Sequence, residues 1–347
     1  MIHGHGDDIY QYDDILVNFS SNVYTHFDHR ALYAHLAGRM DCLAHYPAPA
    51  PERLERRIAA TLGLDPAEVL VTAGATEAIY LTAQAYRRSR TAIVQPTFAE
   101  YADACRLHEH RLTHVYPYQV ARDGGRSTGE WLPEGVETVW LCSPDNPTGK
   151  VWPLAGLRRL VNRHPAPLFV LDASYAPFTE EPLPTPREGV ALPNLVMLHS
   201  MTKEYGLPGL RLGYVTACAA RLETLRRMRM PWSVNPLAQE AGLWLLDHRE
   251  AYRLPLPELM QERERMSEAL SVLGIVEVWP SDSHILLCRL HMGRASHLKD
   301  YLARRHGLLI RDASNFEGLD DSYFRIAVQT PDEDDKLIKG IMAWMAL

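Results

Sequence analysis

No part of this sequence approaches the roughly 18 uninterrupted apolar residues that a membrane-spanning helix needs. Residues 1–12, Met1 to Tyr12, carry histidines and acids where a secretion signal would need an apolar stretch. A soluble, cytoplasmic protein with no membrane partner is expected. Cysteine is scarce: Cys42, Cys105, Cys142, Cys218 and Cys288 are five in number, widely spaced and without a CxxC pair. Neither a disulfide framework nor a cysteine zinc site is indicated. Positive charge is in deficit, with 36 Lys and Arg against 43 Asp and Glu and a formal net charge of −7. A nucleic-acid backbone is therefore not an expected partner. The one dense basic run, Arg226, Arg227 and Arg229, reads as a solvated helix face.

Several catalytic motifs are also missing. There is no Gly-x-Ser-x-Gly elbow and no Walker loop, and the glycines after Val71 do not follow Gly-x-Gly-x-x-Gly, which weakens hydrolase, NTPase and dinucleotide readings. His3 and His5 flank Gly4, but no third ligand stands at a suitable spacing and there is no HExxH, so no metal is expected.

What is present is a 347-residue chain with 46% hydrophobic residues, enough for one large domain and a smaller one. Residues 1–45 read as an arm and part of the small domain, 46–235 as the large domain, and 236–347 as the small C-terminal domain. A helix is expected after Pro51, with Leu54, Ile58, Ala59 and Leu62 at helical spacing and Gly63 as its stop. Val69-Leu70-Val71 then leads through Gly74 into a helix from Thr76, a first βα unit. Short apolar runs recur at 91–94, 138–142, 168–171 and 195–198, as strands buried on both faces require. The expected class is α/β, a mostly parallel central sheet flanked by helices, with a smaller α+β unit. That unit has strands near 285–288 and 324–328 and a helix over 296–306 ended by Gly307.

Each of these central strands ends in polar residues, and in an open α/β sheet ligands sit outside the carboxyl ends of the strands. Lys203 follows one such end, beside Ser200 and Thr202 and eight residues before Arg211. An amine in an enclosed, cation-rich pocket can lose its proton near neutral pH and hold an aldehyde cofactor, while two hydroxyls and a guanidinium suit that cofactor's phosphate. Gly206, Gly209 and Gly213 allow the backbone to turn tightly there. Asp172 ends another strand and would pair with a pyridinium nitrogen, the tuning that pyridoxal 5'-phosphate (PLP) needs from a protein; a helix N-cap is the plain alternative. Asn146 could donate to the ring's phenolic oxygen or simply belong to an Asn-Pro-Thr-Gly turn, and Tyr175 could reach the same oxygen or be core. The Gly74-Ala75-Thr76 helix start suits a phosphate, and Phe98 could stack on a flat ring or pack in the core. Arg311 and Arg325 stand in apolar surroundings, where arginine needs a partner. A doubly anionic substrate would serve, as would salt bridges to Asp320 and Asp321.

Taken together, Thr72 to Glu77, Asn146 to Gly149, Asp172, Ser200 to Lys203 and Arg211 to Tyr214 resemble the class I/II aminotransferases of PLP fold type I. The stretches His5 to Tyr10, Phe19 to Asn22, Met230 to Asn235 and Ile310 to Asp320 are similar to the threonine-phosphate decarboxylase and histidinol-phosphate aminotransferase branch, the former a cobalamin-pathway activity. The resemblance implies Lys203 as the Schiff-base lysine, Asp172 on the pyridine nitrogen and Asn146 on the phenolic oxygen. It implies Ser200, Thr202, Arg211 and the Ala75–Thr76 backbone on the cofactor phosphate. Tyr46 would reach the cofactor phosphate of a second subunit in a homodimer. Arg325 would take the substrate carboxylate, and Arg311, His5 and Asn22 a substrate phosphate. The substrate would be a small amino acid carrying a phosphate, with decarboxylation, transamination and a non-catalytic binding module as the three readings. Three departures bear on the choice: Asp172-Ala173-Ser174 replaces the usual Asp-Glu-Ala, Tyr175 stands where the decarboxylases usually have phenylalanine, and Val23 to His26 lacks the usual Asn-Pro.

Overall fold

The computed structural model describes residues 6–117 and 131–346. After a short strand β1 (Val17–Asn18), the chain runs through β2 (Val69–Thr72), β3 (Arg90–Val94), β4 (Arg111–Val115), β5 (Thr138–Cys142), β6 (Leu168–Asp172), β7 (Leu195–Ser200) and β8 (Gly213–Ala217). The last seven form one sheet in the order β2-β8-β7-β6-β5-β3-β4. β7, β6, β5, β3 and β4 are mutually parallel, and β8 runs antiparallel to both β2 and β7. Every residue of β2, β5, β6 and β7 is buried, the outcome of continuous apolar runs covered by helices on both faces. Residues Leu70, Ile93, Trp140 and Val170 pack on one side and Ala92, Val139, Phe169 and Leu171 on the other.

The smaller unit holds β9 (Val276–Val278), β10 (Ile285–Leu290), β11 (Leu308–Leu309), β12 (Arg311–Asp312) and β13 (Tyr323–Ala327). An antiparallel sheet in the order β12-β13-β10-β9 packs its inner face against helices Leu256–Val272, Ala295–His306 and Pro331–Met345. β1 pairs in parallel with β11, so the N-terminal arm is part of this unit's framework. Helix Pro236–Asp247 packs instead in the cluster with Leu54, Ile58 and Val69. No helix among the described residues is long and apolar enough to cross a membrane.

The expected helix after Pro51 spans Glu52–Leu62 and ends on Gly63 at φ 67°, a left-handed cap that glycine adopts without strain. β8 departs from the glycine-rich turn expected around Gly206 to Gly213. Gly213 opens a strand so close to its neighbours that a Cβ would lie 2.7 Å from the His199 carbonyl and 2.8 Å from the Ala75 nitrogen. Of the basic run, Arg227 lies on a solvated face, paired with Glu223 at 3.0 Å, while Arg226 and Arg229 depart from it. Arg226 donates to the carbonyls of Pro66, Ala67 and Val69, and Arg229 pairs at 2.7 Å with the buried Glu55, which also accepts from the Val71 N–H. These arginines close the end of β2, because the carbonyls and the buried carboxylate there need donors.

Candidate active site

Where β5, β6 and β7 end, a cleft of about 530 Å³ opens between the large sheet and the smaller unit. The parallel order places these ends side by side, which is why residues far apart in sequence meet. Lys203 lies in the single helical turn Met201–Glu204 directly after β7, its amine donating to the Ser21 carbonyl at 2.6 Å and sitting 5.8 Å from the Tyr175 ring centre. Burial, reinforced by the charges of Arg325 and Arg211, brings its pKa down to about 7 against the opposing pull of Asp7 and Asp172. Such an amine is a competent nucleophile at neutral pH.

Asp172, the last residue of β6, is buried; one oxygen accepts from the Ser174 N–H at 2.9 Å and the other from the Tyr101 hydroxyl at 2.7 Å. Burial raises its pKa, and these hydrogen bonds and the Lys203 charge pull the other way. It caps no helix, since residues Ala176–Phe178 begin only after Tyr175.

On the other side of Lys203 stands helix Gly74–Ala85, whose first N–H groups, at Ala75 and Thr76, have no partner within the helix by position. A Cβ on Gly74 would lie 2.9 Å from Arg211 Nη2, so glycine lets the guanidinium rest against the helix start. Thr202 Oγ1 is buried, faces the same cleft and has no hydrogen-bond partner among the described residues. Ser200 lines the cleft beside it. An orphaned hydroxyl, free helix N–H groups and a guanidinium that uses only one nitrogen on the Pro208 carbonyl are together the complement of a phosphate dianion. With Asp172 for a protonated ring nitrogen, Lys203 for an aldehyde and the half-buried Phe98 on the cleft wall, the residues present fit PLP.

Asn146 follows β5, in a loop pinned by Asp145, whose oxygens accept from the hydroxyls of Thr97 at 2.7 Å and Thr148 at 2.8 Å. Burial raises Asp145 to about 7. The Asn146 carbonyl accepts from Arg325, which also donates to the Ser20 carbonyl, so the Asn146 amide points its N–H donors elsewhere. Tyr175 accepts from the Asn22 side chain at 3.2 Å. Arg311 is buried and bonded to Asn315 at 2.6 Å; with Arg325, Asn146, Phe98 and Gly6 it lines a recess of about 30 Å³ that continues the cleft. The salt bridges considered for these arginines do not form: Asp321 pairs with Arg294 at 3.2 Å and Asp320 accepts from the Ser322 N–H.

Of the expected site residues, His5 lies outside the described residues. Tyr46 is 87% exposed beside Trp232 and away from the cleft of its own chain. All the others are brought to the cleft or its recess. Sequence reading missed Tyr101, Asp7, Ser20 and Ser21, which also reach it. Tyr101 stands three residues after Phe98 at helical spacing, a signal available in the sequence; the others depend on where the arm folds. No cluster of His, Cys, Asp and Glu suited to a metal occurs among the described residues.

A family model described as aminotransferase class I and II matches residues 14–341. The threonine-phosphate decarboxylase of Salmonella typhimurium is 29% identical over 339 residues, covering 94% of this chain and 91% of that one. A histidinol-phosphate aminotransferase of Roseiflexus castenholzii is 32% identical over 304 residues, covering 85% and 79%. Among solved structures, the L-threonine-O-3-phosphate decarboxylase of Porphyromonas gingivalis superposes with a TM-score of 0.91 at 38% identity, covering 96% of this chain and 100% of that one. With its sheet order, its cleft and this match over nearly its whole length, the chain belongs to the class I and II aminotransferase family of PLP-fold proteins.

Proposed function

We propose that this protein is a PLP-dependent lyase that removes the carboxyl group of L-threonine O-3-phosphate as CO2 and leaves 1-aminopropan-2-yl phosphate. The observation that carries the reading is the convergence of two buried guanidiniums, Arg311 and Arg325, on one end of the cleft. Two buried cations that face one recess suit a substrate with two anionic groups. When bound at Lys203, PLP supplies an electron sink for the pair released at the substrate's α-carbon. Arg325, braced by Asn146 and the Ser20 carbonyl, holds the carboxylate, while Arg311, Asn22 and the arm residue His5 hold the phosphate. The orientation in which Arg325 and Arg311 hold the substrate would therefore choose which bond at its α-carbon breaks. If they present the carboxyl group for cleavage, it would leave as CO2 and the protonated Lys203 amine would give its proton to the carbon left behind.

Transamination is the second reading, favoured by Tyr175, whose ring centre lies 5.8 Å from the Lys203 amine. If the two arginines instead present the α-hydrogen to Lys203, its neutral amine would take that proton. The relatives in both branches support the cleft as an amino-acid site. Supplying PLP-loaded protein with L-threonine O-3-phosphate and following CO2 separates the two: stoichiometric CO2 is expected, and keto-acid formation without CO2 overturns the decarboxylase reading.

We also propose a homodimer. Met40, Leu43, Tyr46, Met230 and Trp232 are all exposed, an apolar face that a second copy would cover, bringing Tyr46 to the other subunit's cofactor phosphate.

A further inference from the structure

We propose that Tyr101 is a positioning residue for the cofactor, fixing with one buried side chain both the carboxylate that faces the pyridine nitrogen and the aromatic ring beside the cofactor's face. This rests on reading the cleft as a PLP site. Tyr101 is 1% exposed, in helix Glu100–Leu107, and its hydroxyl donates to Asp172 at 2.7 Å. Its ring stacks on Trp140, centres 5.4 Å apart at 24°, and meets Phe98 edge-on at 5.9 Å and 85°. Trp140 is itself buried in β5, so the phenol is held from a rigid strand.

A carboxylate has about four acceptor positions. Tyr101 and Ser174 take one on each oxygen of Asp172 and leave the rest for the cleft. Both donors favour the charged form against the burial that opposes it. The phenol stays protonated, because burial and the neighbouring carboxylate push its own pKa far up. The other titratable groups around Asp172 are Cys142 across from it on β5, Asp145 beyond that strand, Tyr175 after β6 and Lys203 after β7. Burial holds Cys142 and Tyr175 neutral and pushes Asp145 up to about 7, so Lys203 is the cation and Tyr101 the neutral donor that face it.

Removing the hydroxyl makes Asp172 more basic, which draws the proton away from the ring nitrogen and weakens the ring's positive charge. The link between Lys203 and the cofactor then keeps its own proton to higher pH. In cofactor-loaded Tyr101→Phe, the pH titration of the visible absorption band is expected to move up by about half a unit or more, and PLP to dissociate with a constant about tenfold higher, as for a lost hydrogen bond to a charged group. Site-specific 3-fluorotyrosine at Tyr101, a stronger donor of nearly the same volume, is expected to move the band titration down. A merely structural tyrosine would change thermal stability and leave both titrations in place. An unchanged band in both proteins, with wild-type protein binding PLP, overturns the role of Tyr101. A wild-type protein that shows no band with PLP overturns the cofactor reading and the role of Tyr101 with it.

Discussion

The chemistry of Lys203 is set by its neighbours. An exposed lysine would add to an aldehyde faster as pH rises toward about 10, because only the neutral amine reacts. Here burial and the charges of Arg325 and Arg211 lower the pKa to about 7. Uptake of PLP by cofactor-free protein, followed in a stopped-flow absorbance experiment, is therefore expected to rise with pH and level off just above 7. Arg325→Gln removes a cation that disfavours the ammonium, so the plateau should move to higher pH; an unchanged profile would count against that coupling. Arg311→Met tests the other end of the cleft. It should raise KM for the phosphorylated amino acid by about tenfold or more, the loss of a charge-assisted pair, and leave the cofactor band unchanged, since Arg311 lies in the recess and not at the ring.

Among the elements, the N-terminal arm is the one whose placement matters most to the site. Gly6 packs so tightly on Ser20 and Arg311 that a Cβ would approach the Ser20 carbonyl to 2.9 Å. The Asp7 N–H donates to the Ser20 hydroxyl at 3.0 Å, and Asp8 pairs with Lys299 of helix Ala295–His306, both side chains largely buried. Lys299→Met leaves Asp8 buried without its cation, and the arm is expected to detach: limited proteolysis of the loaded protein should cut within residues 6–16 faster than in wild type. Equal cutting rates would show the arm is held by other contacts. At the edge of the large sheet, Arg229→Met should cost about 3 kcal/mol of stability in denaturant titration, because Glu55 remains buried with its charge uncompensated.

How much the sequence revealed also varies by element. β2, β5, β6 and β7 are legible because a strand buried on both faces must be apolar throughout. β4, with alternating exposure in Arg111–Val115, and the two-residue β1, β11 and β12 carry too little pattern to be read. β8 was hidden because its opening glycine answers to close packing against the Ala75 nitrogen, a tertiary constraint with no local signature. Asp172, Asn146 and Lys203 were readable as polar residues at strand ends, whereas Ser20, Ser21 and Asp7 enter the site through tertiary contacts of the arm, among them the β1–β11 pairing and the Asp8–Lys299 pair.

At the scale of the whole molecule, the two units meet across the cleft: the large sheet supplies Lys203, Asp172 and Asn146, and the smaller unit supplies Arg311 and Arg325. On the proposed function, the large unit carries the cofactor residues and the small unit the residues that choose a substrate. The exposed face at Met40, Tyr46 and Trp232 extends the same logic to a second copy. Trp232→Glu should shift the sedimentation profile from dimer toward monomer and weaken PLP binding in parallel; a monomeric wild-type protein would contradict the dimer. Everything proposed depends on one covalent attachment. Reducing the PLP-loaded protein with borohydride and mapping its peptides by mass spectrometry tests it directly. The account predicts a single pyridoxyl adduct on Lys203, lost in Lys203→Arg, and an adduct confined to other lysines or absent altogether would contradict it.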